Sequence, residues 1–235
     1  MIKIGIIGAM ELEIEALKDQ LTDARLTERA GMTFCEGLLR GAPAVVVRCG
    51  IGKVNAGLCV QILADLFDVT HVINTGVAGS LDAQMDIGDI VISSDALYHD
   101  VDVTATGYPL GVMPGLGMLA FPADAQLIRA AGAACARACP DVRAKVGRVV
   151  SGDQFIADKA RKESITRAFE GLCTEMEGAA IAHAAMVNGL PFVIIRAISD
   201  KADDSAQVDY PTFERAAAKR SARLVEELVA GLAER

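Results

Sequence analysis

The sequence predicts an α/β fold, a three-layer sandwich with a mixed, mainly parallel central sheet, in a single domain over residues 1–235. Apolar strand patterns alternate with helical patterns along the chain, and no linker or low-complexity segment separates them. Glycine-rich turns follow several of the strands. With 52% hydrophobic and 4% aromatic residues, the chain can bury a large aliphatic core, as one domain of this size requires.

Each element is predicted from its own pattern. Strands are expected at residues 2–7, 32–39, 44–49, 69–75, 88–94, 145–150 and 192–198. The second and third strands read as a hairpin around Arg40-Gly41-Ala42-Pro43. Helical spacing predicts helices at residues 11–21, 53–67 and 123–139, and in the alanine-rich stretch after Glu177. Pro211 is expected to open a final amphipathic helix with one apolar face, formed by Phe213, Ala217, Leu224 and Leu228.

One segment has no periodicity. Residues 99–117 carry Pro109, Pro114 and several glycines, which predicts a long loop. Long loops without regular structure inside compact domains usually have a function, so this loop is expected to contribute to a site.

Composition and spacing argue against several functions. The net charge of −8 and a pI near 4.9 disfavour a nucleic-acid-binding surface, which needs a basic patch. The six cysteines lack C-x-x-C spacing and are expected to be buried and reduced, and the three histidines lack metal-ligand spacing. We therefore expect no metal and no cofactor. The run at residues 2–7 is too short for a signal peptide, and later apolar runs are too short to cross a bilayer, which predicts a cytoplasmic protein without membrane contact.

Three carboxylates stand where structure alone rarely requires them. Glu175 and Glu177 precede the alanine-rich helix, whose N-terminus favours negative charge, so a purely structural role would also account for them. Asp200 is harder to explain structurally, because it ends the apolar run 192–198, which only Arg196 interrupts. Ligands of open α/β sheets bind at the carboxyl ends of such strands, so these residues indicate a site.

Glycine-rich turns after three strands support the same location. They are Gly5-Ile6-Ile7-Gly8-Ala9-Met10, Cys49-Gly50-Ile51-Gly52-Lys53 and Asn74-Thr75-Gly76-Val77-Ala78-Gly79-Ser80. None of them is a G-x-G-x-x-G fingerprint or a Walker A loop, which disfavours a dinucleotide or a nucleoside triphosphate. Tight turns alone would explain each glycine, but together they suggest a shallow pocket along the edge of the sheet.

These motifs, in this order, resemble the 5'-methylthioadenosine/S-adenosylhomocysteine nucleosidases of the purine nucleoside phosphorylase-like superfamily. The resemblance runs from Lys3 to the final helix and includes the first glycine turn through Glu13, Gly50-Ile51-Gly52-Lys53-Val54, Asn74-Thr75-Gly76, Tyr98-His99-Asp100-Val101-Asp102, Val150 to Ile156, Glu175-Met176-Glu177 and Arg196 to Asp200. It implies a nucleoside phosphorylase-like fold. It also implies hydrolysis of the N-glycosidic bond of adenine thionucleosides, releasing adenine and a thioribose.

The resemblance also implies roles for single residues. Asp200 would protonate or hydrogen-bond N7 of adenine, Glu13 would activate the water, and Glu177 would accept hydrogen bonds from the ribose diol. Supporting roles would fall to Arg196, which helps hold the water, and Ser199, which orients Asp200. An ion pair of Arg196 with one of these carboxylates is compatible with the same role. Phe155 would stack on the base, the backbone of Ile156 would read its edge, and Met176 would contact the sugar, though a plain core role for Met176 is almost equally compatible. Further residues expected to bind substrate are Ala9, Met10, Ile51, Gly79, Glu175 and Tyr210, the last as a lid.

The resemblance implies a homodimer in which loop 99–117 of the neighbouring subunit completes the site through Val103, Thr106 and Pro114. The sequence departs from the family at two positions. Val77 stands where many members have a serine that touches the water, and Thr106 stands where an aromatic residue is familiar. The preference for the 5' tail of the substrate therefore stays open.

Three alternatives remain. A phosphate-dependent purine nucleoside phosphorylase would share the fold but would need basic residues near the glycine turns, where Glu13 would repel phosphate. A hydrolase of futalosine-type nucleosides would use the same residues. A non-catalytic adenine-nucleoside sensor would need the pocket but not three carboxylates.

Overall fold

The computed structural model describes residues 2–233, which form one ten-stranded sheet with helices packed on it. The strands are β1 (Ile4–Gly8), β2 (Thr22–Arg29), β3 (Met32–Leu39), β4 (Ala42–Arg48), β5 (His71–Ser80), β6 (Ile90–Tyr98), β7 (Phe121–Pro122), β8 (Ala144–Ser151), β9 (Cys173–Glu175) and β10 (Phe192–Asp200). The helices are α1 (Glu11–Asp19), α2 (Lys53–Phe67), α3 (Ala125–Ala138), α4 (Lys159–Phe169), α5 (Gly178–Val187) and α6 (Ala206–Ala233). The predicted α/β fold is confirmed.

The sheet is mixed, and part of it closes on itself. Parallel pairings join β1 to β4 and β5, β5 to β10, and β8 to β6 and β9. Antiparallel pairings join β10 to β6 and β5 to β9, so β5, β10, β6, β8 and β9 form a closed ring. From β5 the sheet continues through β1 and β4 to the antiparallel strands β3 and β2. The ring brings the ends of β5, β9 and β10 together.

Two large apolar clusters cover the two faces of the sheet. One packs residues of α2 and α5 against it, including Cys59, Leu63 and Ile181. The other packs α1, α3 and α6 against the opposite face, including Ile14, Leu127 and Val225. β1 is buried along its whole length because helices cover both of its faces, as its continuous apolar sequence predicts. The six cysteines are all buried, free thiols, which confirms the expectation from their apolar surroundings.

The predicted start of the last helix was wrong. α6 begins at Ala206, and Pro211 lies inside it, in the second turn. The start signal is the polar segment before the helix, where Asp203 Oδ1 accepts hydrogen bonds from the backbone and the hydroxyl of Ser205. The predicted apolar face holds at Ala217, Leu224 and Leu228, but Phe213 is 39% exposed and does not belong to the core.

The sequence patterns also missed β2, β7, β9 and α4. β2 is an edge strand whose residues are nearly all exposed, so it lacks an apolar face that a period of two could reveal. β7 and β9 have only two and three residues. The hairpin turns at Arg40 and Gly41, both with positive φ, and loop 99–117 contains only a short 3-10 turn at Thr104–Thr106, as predicted. The predicted glycine-rich turn at Asn74 to Ser80 was wrong, because β5 continues through Ser80, where it pairs with β10 and β9. Within residues 2–233, no helix is long and apolar enough to cross a membrane.

Candidate active site

A cavity of about 330 Å³ opens at the carboxyl ends of β1, β5, β9 and β10. This is the edge of an α/β sheet where ligands bind, and the sequence placed the site there. The residues that line the cavity are Ala9, Met10, Glu13, Ile51, Val77, Ala78, Gly79, Phe155, Thr174, Glu175, Met176, Glu177, Ser199, Asp200 and Tyr210.

Glu13 reaches the cavity from the first turn of α1. Its Oε2 accepts hydrogen bonds from the backbone N–H groups of Ala9 at 2.7 Å and Met10 at 2.9 Å. Its Oε1 accepts one from the N–H of Val77 at 3.0 Å. Burial raises the pKa of Glu13 above its ordinary value, while nearby Arg196 and the three backbone hydrogen bonds oppose that shift. The carboxyl is therefore rigidly held and takes up a proton more readily than an exposed glutamate does.

Two glycines are required by this arrangement. A Cβ at Gly76 would lie 2.4 Å from Glu13 Oε1, and one at Gly79 would lie 2.8 Å from Asp200 Oδ1. Any larger residue would displace a carboxylate, which explains the glycines at these two positions inside β5.

Arg196 lies beneath the cavity rather than on its wall. Its side chain is 2% exposed, and Nη2 donates to Glu175 Oε2 at 2.5 Å and to Asn74 Oδ1 at 2.6 Å. The backbone N–H groups of Glu177 and Gly178 also donate to Glu175 Oε2. The guanidinium therefore forms an ion pair with Glu175. Such an ion pair is the alternative that the sequence left open for Arg196, and it is compatible with the role expected of this residue.

Glu177 stands at the N-terminus of α5. Its Oε1 accepts a hydrogen bond of 2.7 Å from the N–H of Gly52, which links it to the second glycine turn. Burial raises the pKa of Glu177, the neighbouring Glu175 raises it further, and Arg196 and the Gly52 hydrogen bond partly oppose both effects.

Asp200 ends β10 and is 2% exposed. The Ser199 hydroxyl donates to its Oδ2 at 2.9 Å, and the N–H of Ala202 donates to its Oδ1 at 2.8 Å. Burial raises the pKa of Asp200, although both hydrogen bonds oppose the shift. A buried carboxyl of this kind keeps its proton to a higher pH than an exposed aspartate, as a proton donor must.

Aromatic residues form the outer rim of the cavity. The rings of Phe155 and Tyr210 meet edge to face, with centroids 5.3 Å apart, and the Tyr210 hydroxyl lies 3.3 Å from Met10 Sδ. Phe155 is 52% exposed, so one side of its ring is free to stack on a ligand. Tyr210 belongs to the first turns of α6 and closes the cavity from above.

Most residues predicted for the site line this cavity, and a few lie elsewhere. The side chain of Ile156 is buried in a small separate cluster with Leu81 and Val150. Val103, Thr106 and Pro114 are on loop 99–117 and do not line the cavity of their own chain. Ala78 and Thr174 line it without having been predicted. Their positions in the sequence could have indicated this, because Ala78 lies within the third glycine-rich segment and Thr174 directly precedes Glu175.

The charges in the cavity limit its chemistry. Among the described residues, neither lysine nor arginine lines it, and the guanidinium of Arg196 beside it is already paired with Glu175. Glu13, Glu175, Glu177 and Asp200 all do line it. An inorganic anion would find no free positive partner there, whereas a neutral ligand with several hydrogen-bond donors would find many acceptors.

Comparison with known proteins identifies the class. Residues 3–230 match the family model of the phosphorylase superfamily. The chain is 42% identical to the 5'-methylthioadenosine/S-adenosylhomocysteine nucleosidase of Colwellia psychrerythraea, over 98% of this chain and 96% of that one. The chain therefore belongs to the phosphorylase superfamily and, within it, to the 5'-methylthioadenosine/S-adenosylhomocysteine nucleosidase family.

Solved structures agree with this assignment. The Colwellia nucleosidase in complex with adenine superposes with a TM-score of 0.95 and covers 98% of this chain. The Neisseria meningitidis nucleosidase in complex with methylthio-immucillin-A gives a TM-score of 0.94 at 39% identity, covering 98% of this chain and all of that one. A futalosine hydrolase of Helicobacter pylori gives a TM-score of 0.93 at 32% identity, with 98% of both chains covered.

Proposed function

We propose that this protein hydrolyses the N-glycosidic bond of 5'-methylthioadenosine and S-adenosylhomocysteine, releasing adenine and the corresponding thioribose. One observation carries the proposal: two buried carboxyls with raised pKa, Glu13 and Asp200, face one cavity, and Arg196 beside Glu13 is already ion-paired. Such a site can move protons but has no free charge for phosphate.

The reaction needs a proton at the base and a nucleophile at the sugar. Cleavage leaves negative charge on adenine and positive charge on the ribosyl group, which resembles an oxocarbenium ion. Asp200, whose pKa is raised by burial and whose carboxyl is positioned by Ser199, donates a proton to N7 of adenine. Glu13, fixed by three backbone hydrogen bonds, accepts a proton from the attacking water.

The remaining groups bind and orient the substrate. Glu177 accepts hydrogen bonds from the 2'- and 3'-hydroxyls, and the exposed face of Phe155 stacks on the base. The Ile156 backbone reads the edge of adenine. Arg196 acts through Glu175 and through its charge beside Glu13, because its guanidinium does not reach the cavity wall. Val77 contributes its N–H to Glu13 and leaves the positioning of the water to that carboxyl.

We further propose a single-domain homodimer in the cytoplasm, whose products enter methionine salvage. Exposed apolar side chains on α2, among them Val54 at 74% and Leu58 at 49%, support a subunit interface. Leu110 and Leu116 extend the apolar surface on loop 99–117. A partner loop bringing Val103, Thr106 and Pro114 would then line the 5' end of the site.

A futalosine-type nucleoside hydrolase is the second candidate, because the Helicobacter pylori futalosine hydrolase shares the fold over almost the whole chain. Adenine release from methylthioadenosine, adenosylhomocysteine and 6-amino-6-deoxyfutalosine, each with and without phosphate, separates the candidates. We expect the first two to react at rates independent of phosphate. Preferential turnover of the futalosine compound would favour the second candidate, and a requirement for phosphate would indicate a phosphorylase.

A further inference from the structure

A second cavity, of about 480 Å³, adjoins the candidate active site. The two cavities share Ala9, Met10 and Ile51. The second one lies beyond the ends of β1 and β4, and the turn between β2 and β3 forms its far side. The boundary between the two cavities is therefore formed by these three residues.

The shared residues belong to the sugar end of the active site. Met10 donates its N–H to Glu13, and the turn that holds Ile51 donates the Gly52 N–H to Glu177. Asp200 and Phe155, the residues proposed to hold the base, line only the first cavity. A nucleoside bound with its base at Asp200 would thus direct its 5' substituent towards the second cavity.

The second cavity is lined by charged groups of opposite sign. Arg48 Nε lies 3.9 Å from Glu11 Oε2, and Glu11 Oε1 accepts a hydrogen bond of 2.8 Å from Lys18 Nζ. Both side chains are accessible, Arg48 at 55% and Glu11 at 47%. At 3.9 Å the Arg48–Glu11 pair is too long for a hydrogen bond, so the Arg48 guanidinium keeps its donors for a ligand.

We propose that the second cavity binds the α-amino acid end of S-adenosylhomocysteine, with Arg48 pairing with the carboxylate and Glu11 with the ammonium group. The inference rests on the proposed function and extends it to the part of the substrate that distinguishes the two thionucleosides. The methyl group of methylthioadenosine ends in the first cavity, where Met10 and Ile51 offer apolar contacts. The longer tail continues past them and meets a guanidinium and a carboxylate that match its two charges.

Arg48→Ala tests the proposal through the ratio of kcat/KM for adenosylhomocysteine to that for methylthioadenosine. We expect this variant to lose about fivefold in kcat/KM for adenosylhomocysteine, mainly through KM, because the guanidinium is solvent-exposed and its ion pair is screened. The value for methylthioadenosine should stay within about twofold. Arg137→Ala is the matched control, since Arg137 is 53% exposed and paired with Glu227 away from these two cavities.

Two synthetic thioadenosines test the proposed roles of Arg48 and Glu11 separately. One carries a 3-carboxypropylthio tail, which lacks the amino group, and the other a 3-aminopropylthio tail, which lacks the carboxylate. We expect Arg48→Ala to impair only the first compound, and Glu11→Gln to impair the second while improving the first.

Other outcomes would overturn the proposal. An unchanged ratio in Arg48→Ala would show that the guanidinium does not meet the tail. An equal loss for both natural substrates, or dissociation of the protein into monomers, would assign Arg48 to folding or to assembly. A wild-type protein that releases no adenine from methylthioadenosine would instead refute the proposed function itself.

Discussion

At the residue scale, the site depends on carboxyl groups whose protonation is set by burial. Asp200, Glu13 and Glu177 all have a raised pKa, and in each case burial is the largest cause. Because these groups lie in one cavity, several carboxyl groups that take up protons more readily than exposed ones surround the same ligand space. The sequence could predict the residues from their positions at strand and helix ends. It left open which carboxylate pairs with Arg196, because Glu175 on β9 reaches Arg196 on β10 only when both strands pair with β5 in the closed ring.

Asp200→Asn should lower kcat by about 10²–10⁴ while leaving the fold intact. The single amide oxygen of asparagine can still accept the hydrogen bond from the N–H of Ala202, and its NH2 group can donate to the Ser199 hydroxyl, but it has no acidic proton to give to the base. Steady-state kinetics together with thermal unfolding measure both effects. A variant with wild-type kcat and an unchanged melting temperature would place the acid on another residue.

Glu177→Gln should flatten the dependence of stability on pH. The pKa of Glu177 in the folded protein is raised above its ordinary value of 4.5. Its contribution to the free energy of unfolding is therefore complete below that value and is lost as the pH rises through the folded-state pKa. Glutamine cannot ionise, so between about pH 5 and 8 the variant should lose less stability than the wild type, by about 1 kcal/mol or more. Urea unfolding at both pH values checks this, and parallel curves for the two proteins would contradict it.

At the element scale, the ends of β1, β5, β9 and β10 position the site. The apolar runs predicted β1, β5 and β10, because strands buried on both faces read as continuous hydrophobic segments. β9 was not predicted, because three residues are too few to show the alternation of a strand. It nevertheless positions Thr174 and Glu175 on the wall of the cavity. The predicted start of α6 was wrong because Pro211 lies inside the helix, which begins directly after the hydrogen-bonded turn of Asp203 and Ser205.

Gly76→Ala tests the close packing at the end of β5. The new methyl group would lie 2.4 Å from Glu13 Oε1 and 3.1 Å from Arg196 Nη1, so Glu13 must move. We expect kcat to fall by about 100-fold, as a displacement of roughly 1 Å of a catalytic group can cost. Gly132→Ala is the control, because a Cβ there meets no atom within 4 Å and replacing a glycine inside α3 should stabilise the helix by up to about 1 kcal/mol. Wild-type kcat in Gly76→Ala would show that the position of Glu13 is not critical.

At the scale of the whole molecule, the candidate active site opens at one edge of the sheet, and exposed apolar side chains on α2 and loop 99–117 form an apolar surface beside it. The periodicity of apolar residues along the sequence predicted the layers of helices and sheet, because that periodicity distinguishes helices from strands. It could not predict the closed ring of five strands, since strand pairing depends on contacts distant in sequence. Its own chain covers loop 99–117 only in part. Val101 and Met113 pack against the core of their own chain, whereas Tyr108, Leu110 and Leu116 are exposed.

Val54→Asp should dissociate the proposed homodimer and lower activity towards the thionucleosides. Val54 is 74% exposed on α2, and burying it against a partner would contribute about 25 cal/mol per Å² of apolar surface, which a carboxylate would forfeit. Leu26→Asp is the control, because Leu26 is 68% exposed on the distant strand β2. Sedimentation velocity at micromolar concentration gives the answer. A wild-type protein that sediments as a fully active monomer would refute the dimer.

The central claim, that water and not phosphate attacks the ribosyl group, is tested most directly by the mass of the sugar product. The protein should be incubated with 5'-methylthioadenosine in phosphate buffer, and the sugar product should be identified by mass spectrometry. The arrangement of Glu13 and the ion-paired Arg196 predicts free methylthioribose even at high phosphate concentration. Accumulation of methylthioribose 1-phosphate would contradict it, because the site would then have to bind phosphate beside its buried carboxylates.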